Sequence, residues 1–134
     1  MSTFRQTLLA AAITVALGAS GAASAQFSNA YILGDSLSDA GTCGGARFTV
    51  NPGLVWAQDL GKACGFPITP RNQGGTDYAQ GGVRVTQPSA ATPRGFPQRP
   101  LSTQVSELLQ KIPNLDPNAL YAVWIGGNDL LQNV

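Results

Sequence analysis

Tyr31-Ile32-Leu33-Gly34-Asp35-Ser36-Leu37-Ser38-Asp39-Ala40-Gly41 is the stretch on which the fold turns. The apolar run from Ala30 to Leu33 stops abruptly at Gly34-Asp35-Ser36. A short apolar run closed by loop chemistry has the pattern of a buried parallel strand. Such a strand delivers whatever follows it to the rim of the sheet, and here a hydroxyl follows.

Working outward, Gly41 to Val50 is a loop rich in Gly and Thr. Asn51-Pro52 predicts a helix start, with Asn51 as cap and Pro52 at the first helical position. This helix is expected to run to about Lys62, with Leu54, Val55, Ala57 and Leu60 toward the core and Gly61 or Gly65 near its end. Asp77-Tyr78-Ala79-Gln80-Gly81-Gly82 reads as a short strand entering a glycine turn. Residues 84–100 hold four prolines and three arginines and form the longest irregular segment. Leu101, Val105, Leu108, Leu109 and Ile112 follow helical spacing, with Ser102 as the expected cap and Pro113 as the stop. Ala119 to Ile125 is apolar throughout, which predicts a central strand covered on both faces. It ends in Gly126-Gly127-Asn128-Asp129, and the residues from Asp129 onward read as the first turns of another helix. Strands alternating with helices predict a parallel α/β sheet with right-handed crossovers.

In open parallel sheets, functional groups collect beyond the carboxyl ends of the strands. All three expected strands end in a polar or glycine-rich cluster, so the clusters should meet. Ser36 is the candidate nucleophile, and it is expected to open a helical turn whose free N–H groups favour a developing anion. A serine hydroxyl needs an adjacent base, and the oxyanion it generates needs preorganised donors. Asp35 and Asp39 are weak bases for a hydroxyl at their ordinary pKa. Their expected role is bonding to backbone N–H groups of the turn. Trp56 and Trp124 are assigned to the core. Ser38 stands where the G-x-S-x-G nucleophile elbow requires its second glycine, which sets aside the α/β-hydrolase fold.

Gly34-Asp35-Ser36-Leu37, Tyr78-Ala79-Gln80-Gly81-Gly82 and Gly126-Gly127-Asn128-Asp129, in that order, resemble the first three signature blocks of the GDSL family of lipases and esterases, also called SGNH hydrolases. The resemblance covers residues 27–134. It implies a three-layer, flavodoxin-like α/β fold, here incomplete, and a secreted serine ester hydrolase working through an acyl-enzyme on Ser36. It further implies an oxyanion site made by the Ser36 N–H, a block-two glycine N–H and the Asn128 amide. Gly82 is the best match for that glycine, with Gly81 as the alternative. Asp35, Asp39, Gly81, Gly127 and Asp129 are supporting residues, and Asp77 stands where the family more often has Asn. The family's acid and base come from a D-x-x-H block near the C-terminus. This sequence has no histidine, so neither role transfers to a residue of this chain, and the chain alone is expected to be inactive or nearly so.

The wording around the blocks is also similar to the secreted esterase domains of bacterial autotransporters, which implies an outer-membrane barrel in a longer parent. The expected partner is a small-molecule or lipid ester, and no cofactor is implied. Acyl length, alcohol, and the choice among esterase, phospholipase, deacetylase and acyltransferase stay open. Two other readings compete. One is a catalytically silent fragment or binding module with the same half-fold. The other, ranked last, is a flavodoxin-like phosphate binder, which would need a glycine-rich phosphate loop and more basic charge.

Composition bounds the rest. Arg5, the apolar stretch Leu8–Leu17 and Ala23-Ser24-Ala25 predict a signal peptide over residues 1–25, with a secreted, periplasmic or cell-surface destination. The apolar stretch is shorter than the roughly 20 residues a membrane span requires. Residues 26–134 form the expected N-terminal portion of the hydrolase domain. Beyond residue 25 the chain carries seven basic and seven acidic side chains. This balance gives no electrostatic reason to expect nucleic acid as a partner. Cys43 and Cys64 are a candidate disulfide if the chain is exported. Two thiols without histidine cannot close a zinc site.

Overall fold

The computed structural model describes residues 27–50, 52–87 and 95–131. The predicted signal peptide, the expected helix cap Asn51 and the last three residues lie outside these. Strand β1 is Ala30–Gly34 and pairs in parallel with β2, Leu120–Trp124. The register sets Ile32 against Ala122 and Gly34 against Trp124. On its other edge β1 meets the segment around Asp77. Ile32 N–H donates to the Thr76 carbonyl, Tyr78 N–H to the Ile32 carbonyl and Gln80 N–H to the Gly34 carbonyl. Asp77 forms a parallel bridge with Ile32, so the expected strand there is reduced to a short edge lying beside β1.

Helices cover both faces of β1. Helix α1, Trp56–Cys64, belongs with Ala30, Ile32, Ala40, Val55, Ala57 and Ile68 on one face. Helix α2, Leu101–Lys111, packs Leu108 with Leu33 and Tyr78 on the other. This is the three-layer α/β arrangement that the family resemblance implies. Ile32 is fully buried, and removing a side chain of this size from water stabilises the fold by about 1.5–3 kcal/mol. A short helix α3, Gly127–Leu131, follows β2.

Four local expectations are corrected. Helix α1 starts at Trp56, after Val55, instead of at Pro52; the Val55 N–H is taken by the Gln58 Oε1 at 3.4 Å, so a side chain inside the helix closes its first turn. Gly65 ends it in the left-handed conformation, as the glycine placement anticipates. Helix α2 takes Pro100, not Ser102, as its N-cap. The N–H groups of Leu101 and Ser102 donate to the carbonyls of Arg84 and Val85, so the backbone of a neighbouring segment does the work of a capping side chain.

The third correction concerns β2, which is the outermost strand among the described residues. Val123 and Trp124 are 56% and 55% exposed, because the two helices lie over β1. The fourth concerns the helical turn expected at Ser36, which is present but goes no further than one turn. Asp35 to Asp39 make a single turn, with the Ser38 and Asp39 N–H groups bonded to the Asp35 carbonyl. The turn ends because the next N–H groups are taken by side chains, that of Ala40 by the Asp77 carboxyl and those of Gly41 and Thr42 by the Asp39 carboxylate. A one-turn element carries no helix dipole worth invoking, so the anion argument rests on individual N–H groups.

Candidate active site

Gly34 is the point from which the site springs. Its φ of +155° is open to glycine, and a Cβ there would fall 2.2 Å from the Trp124 carbonyl oxygen. The same carbonyl accepts the Asp35 N–H at 3.3 Å. The chain can therefore leave β1 tightly against β2 and lift Ser36 to the rim. Ser36 is half-buried and its neighbours are fixed. Asp35 Oδ1 accepts the Leu37 N–H at 3.1 Å. Ser38 is fully buried, and its Oγ accepts from Trp56 Nε1 at 3.2 Å.

Two buried carboxylates join the Ser36 turn to the Tyr78–Gly82 segment. Asp39 Oδ1 accepts from Gly41 and Thr42, at 2.9 and 2.6 Å, while Oδ2 reaches across to the Gly81 N–H at 2.8 Å. Asp77 does the reverse: Oδ2 accepts the Ala40 N–H at 2.6 Å and Oδ1 the Ala79 N–H at 2.9 Å. The expected backbone-bonding role of Asp35 and Asp39 is what their geometry displays. Burial pushes the Asp77 carboxyl up to about 7, with the negative charge of Asp39 adding to the rise. The two N–H bonds and Arg99 pull the other way without cancelling it.

These ties bring the blocks together. A methyl group placed on Gly81 would lie 3.7 Å from Ser36 Cβ, and one placed on Gly127 would lie 3.8 Å from Asp35 Oδ2. Asn128 Nδ2 donates to the Val83 carbonyl at 2.9 Å. Asp129 accepts the Val85 N–H through both carboxylate oxygens, at 3.3 and 3.2 Å. Ser36 thus stands beside Gly81-Gly82, and Asn128 is anchored one residue past Gly82. Gly82 takes a positive φ of 79° in the turn. A primary amide has two N–H bonds, so the Val83 bond orients Asn128 and leaves it one further donor.

The candidate disulfide between Cys43 and Cys64 is not formed. Cys43 Sγ accepts from Gln80 Nε2 at 3.7 Å, near the rim. Cys64 ends α1, about 12 Å along the helix from Trp56, the residue bonded to the Ser36 turn. Among the described residues no group of three or more His, Cys, Asp or Glu could hold a metal, and no helix is long and apolar enough to cross a membrane.

Sequence reasoning missed two residues at this site. Gln104 is fully buried on α2. Its signal was available, since it is a polar residue within the apolar stripe of Leu101 and Leu108. Arg99 bonds the Tyr78 carbonyl through Nη2 at 3.2 Å and Glu107 through Nη1 at 2.7 Å. Glu107 also pairs with Arg71 at 3.0 Å. Arg99 lay in the segment that reads as irregular, and nothing in its sequence context marks it.

Among known proteins, the chain is 29% identical to Lipase 1 of Photorhabdus luminescens over 109 residues, covering 78% of the chain and 16% of that protein. It is 32% identical to an uncharacterized protein of the trpE-trpG intergenic region of Pseudomonas putida, over 92% of the chain and 25% of the relative. The chain therefore spans a quarter or less of the length of these relatives. No solved structure matches. The description of the GDSL-like lipase/acylhydrolase family matches residues 31–134, which include all three blocks converging at the rim, and the chain belongs to that family.

Proposed function

We propose that this chain carries the nucleophile and oxyanion half of a secreted serine ester hydrolase. Ser36 Oγ attacks the acyl carbon, the alcohol leaves, and water later releases the acid from the acyl-enzyme. The N–H of Ser36, the N–H of Gly82 and the Asn128 amide hold the oxyanion. The observation that carries this reading is the closeness of Gly81 to Ser36, such that a methyl group on the glycine would meet Ser36 Cβ, with Asn128 anchored beside the same glycine turn. Gly81 already donates its N–H to Asp39, which favours Gly82 as the second donor. The sequence contains no histidine, so the base that activates Ser36 comes from outside these 134 residues, in keeping with a longer parent. Residues 1–25 direct export.

The chain by itself accordingly behaves as a catalytically silent unit. The test uses p-nitrophenyl butyrate with the 134-residue chain and with the longer parent. The short chain is expected at background and the parent at clear turnover. In the parent, Ser36→Ala should reduce turnover to background, and Asn128→Ala should lower it by about 10²–10³. Activity retained after Ser36→Ala refutes the nucleophile assignment. Ser36-dependent turnover by the short chain refutes the need for a distal base.

A further inference from the structure

The ladder between β1 and the Asp77–Gln80 segment contains one irregular rung. Regular parallel pairing alternates along an edge. Ile32 N–H bonds Thr76, Tyr78 N–H bonds Ile32, Gly34 N–H should bond Tyr78, and Gln80 N–H bonds Gly34. The first, second and fourth of these are made, at 3.1, 2.7 and 3.1 Å. At the third, Gly34 N–H donates instead to Gln104 Oε1 at 2.9 Å. The Tyr78 carbonyl left over accepts from Arg99 Nη2 at 3.2 Å. Gln104 Nε2 donates back to the Gly34 carbonyl at 2.9 Å and to the Arg99 carbonyl at 3.0 Å. A side-chain amide from α2 thus substitutes for a peptide group in the sheet, one residue before Asp35 and two before Ser36.

We propose that Gln104 is a positioning residue: inserted between Gly34 and Tyr78, it holds this one rung open between two closed ones and so sets the angle at which the Gly81-Gly82 turn meets Ser36. A closed rung would turn the Tyr78 carbonyl onto the Gly34 N–H. Tyr78 would then need no guanidinium, and the glycine turn would meet the Ser36 turn at a different angle. The amide suits the post because it presents an acceptor and a donor together, matching the N–H and C=O of Gly34. Arg99 completes the wedge from the far side, and its pairing with Glu107 ties it to α2. The consequence for catalysis rests on the reading of Ser36 and Gly82 given above; the wedge itself does not.

The experiment is NMR on the 134-residue chain. In the unsubstituted protein, the Gly34 amide nitrogen should show a through-hydrogen-bond coupling to the Gln104 side-chain carbonyl carbon. A coupling to the Tyr78 carbonyl carbon instead, or none to either, overturns the proposal without any substitution. In Gln104→Leu, the Gly34 amide should exchange about tenfold faster or more. The Ser36, Gly81 and Gly82 amide resonances should move while those of Asp59 and Lys62 on α1 stay in place. Unchanged Ser36 and Gly82 resonances in a folded Gln104→Leu chain overturn it, as does a change spread evenly over the fold. If Gln104→Leu does not fold, the coupling in the unsubstituted chain still decides. Failure of the catalytic reading would appear separately, as turnover retained by Ser36→Ala in the parent.

Discussion

Asp39 makes a graded prediction, because its two oxygens serve different segments. Oδ1 holds Gly41 and Thr42 within its own loop, while Oδ2 alone reaches Gly81. In Asp39→Asn the amide can keep Oδ1 in place but must point Nδ2 at the Gly81 N–H, donor against donor. Losing one hydrogen bond to a charged, buried acceptor costs about 1.5–3 kcal/mol. Asp39→Ala loses all three bonds and leaves three N–H groups without their carboxylate. Neighbouring losses are not additive, so about 3–5 kcal/mol is expected. With an m-value of about 1 kcal/mol/M in urea, typical of a small domain, the midpoint should fall by about 1.5–3 M for Asn and further for Ala. Urea titration at pH 7 measures both, and amide exchange locates the damage. Gly81 should lose protection in both variants, whereas Gly41 and Thr42 should lose it only in Ala. Equal midpoints for the unsubstituted chain and Asp39→Asn, or undiminished Gly81 protection in that variant, would refute the assignment of Oδ2 as the strut between the two loops.

Asp77 holds its proton up to about 7 in the folded chain, against 3.8 for an unperturbed carboxyl. The folded state therefore takes up the proton more tightly than the unfolded state. The stability this adds is full below pH 3.8 and lost as pH rises through about 7. Thermal unfolding followed from pH 5 to 8 should show a declining midpoint, and Asp77→Asn should flatten that decline; an unaltered slope would count against the raised titration. Gly34→Ala should destabilise by several kcal/mol, about 1–3 from the backbone conformation and more from the collision with the Trp124 carbonyl. A melting temperature within a few degrees of the unsubstituted chain would contradict it. A thiol assay on the denatured, unreduced protein should count both cysteines as thiols, and their absence from the count would mean that the 43–64 pair forms after all.

Much of the frame was legible because it rests on local chemistry. The apolar run Ala30–Leu33, the stripe of Leu101 and Leu108 and the glycine at 65 each specify their own conformation, and the first and third blocks follow β1 and β2 as the parallel-sheet rule requires. What the sequence hid was decided by contacts between distant segments. Asn51-Pro52 carries a helix-start signal, yet Val55 and Gln58 close the first turn four residues later. Ser102 is a good capping residue, yet the carbonyls of Arg84 and Val85 already meet the N–H groups it would serve. Cys43 and Cys64 look like a pair in one dimension, while α1 carries the second away from the rim. The apolar stretch Ala119–Ile125 fits an interior strand, and its openness reflects what lies beside it. Asp77 illustrates the same limit at the site. A carboxylate in place of a neutral amide is visible in the sequence, but its elevated titration follows only from being sealed between two loops with Asp39 nearby.

The chain has two tryptophans, and they sit together: the rings of Trp56 and Trp124 are 5.9 Å apart and tilted by 39°. One indole is tethered to Ser38 and the other belongs to the residue whose carbonyl receives Asp35. All of the protein's indole emission therefore originates beside the Ser36 turn. The molecule carries its own optical gauge there, so a ligand settling on the rim can be followed in the native sequence without attaching a dye.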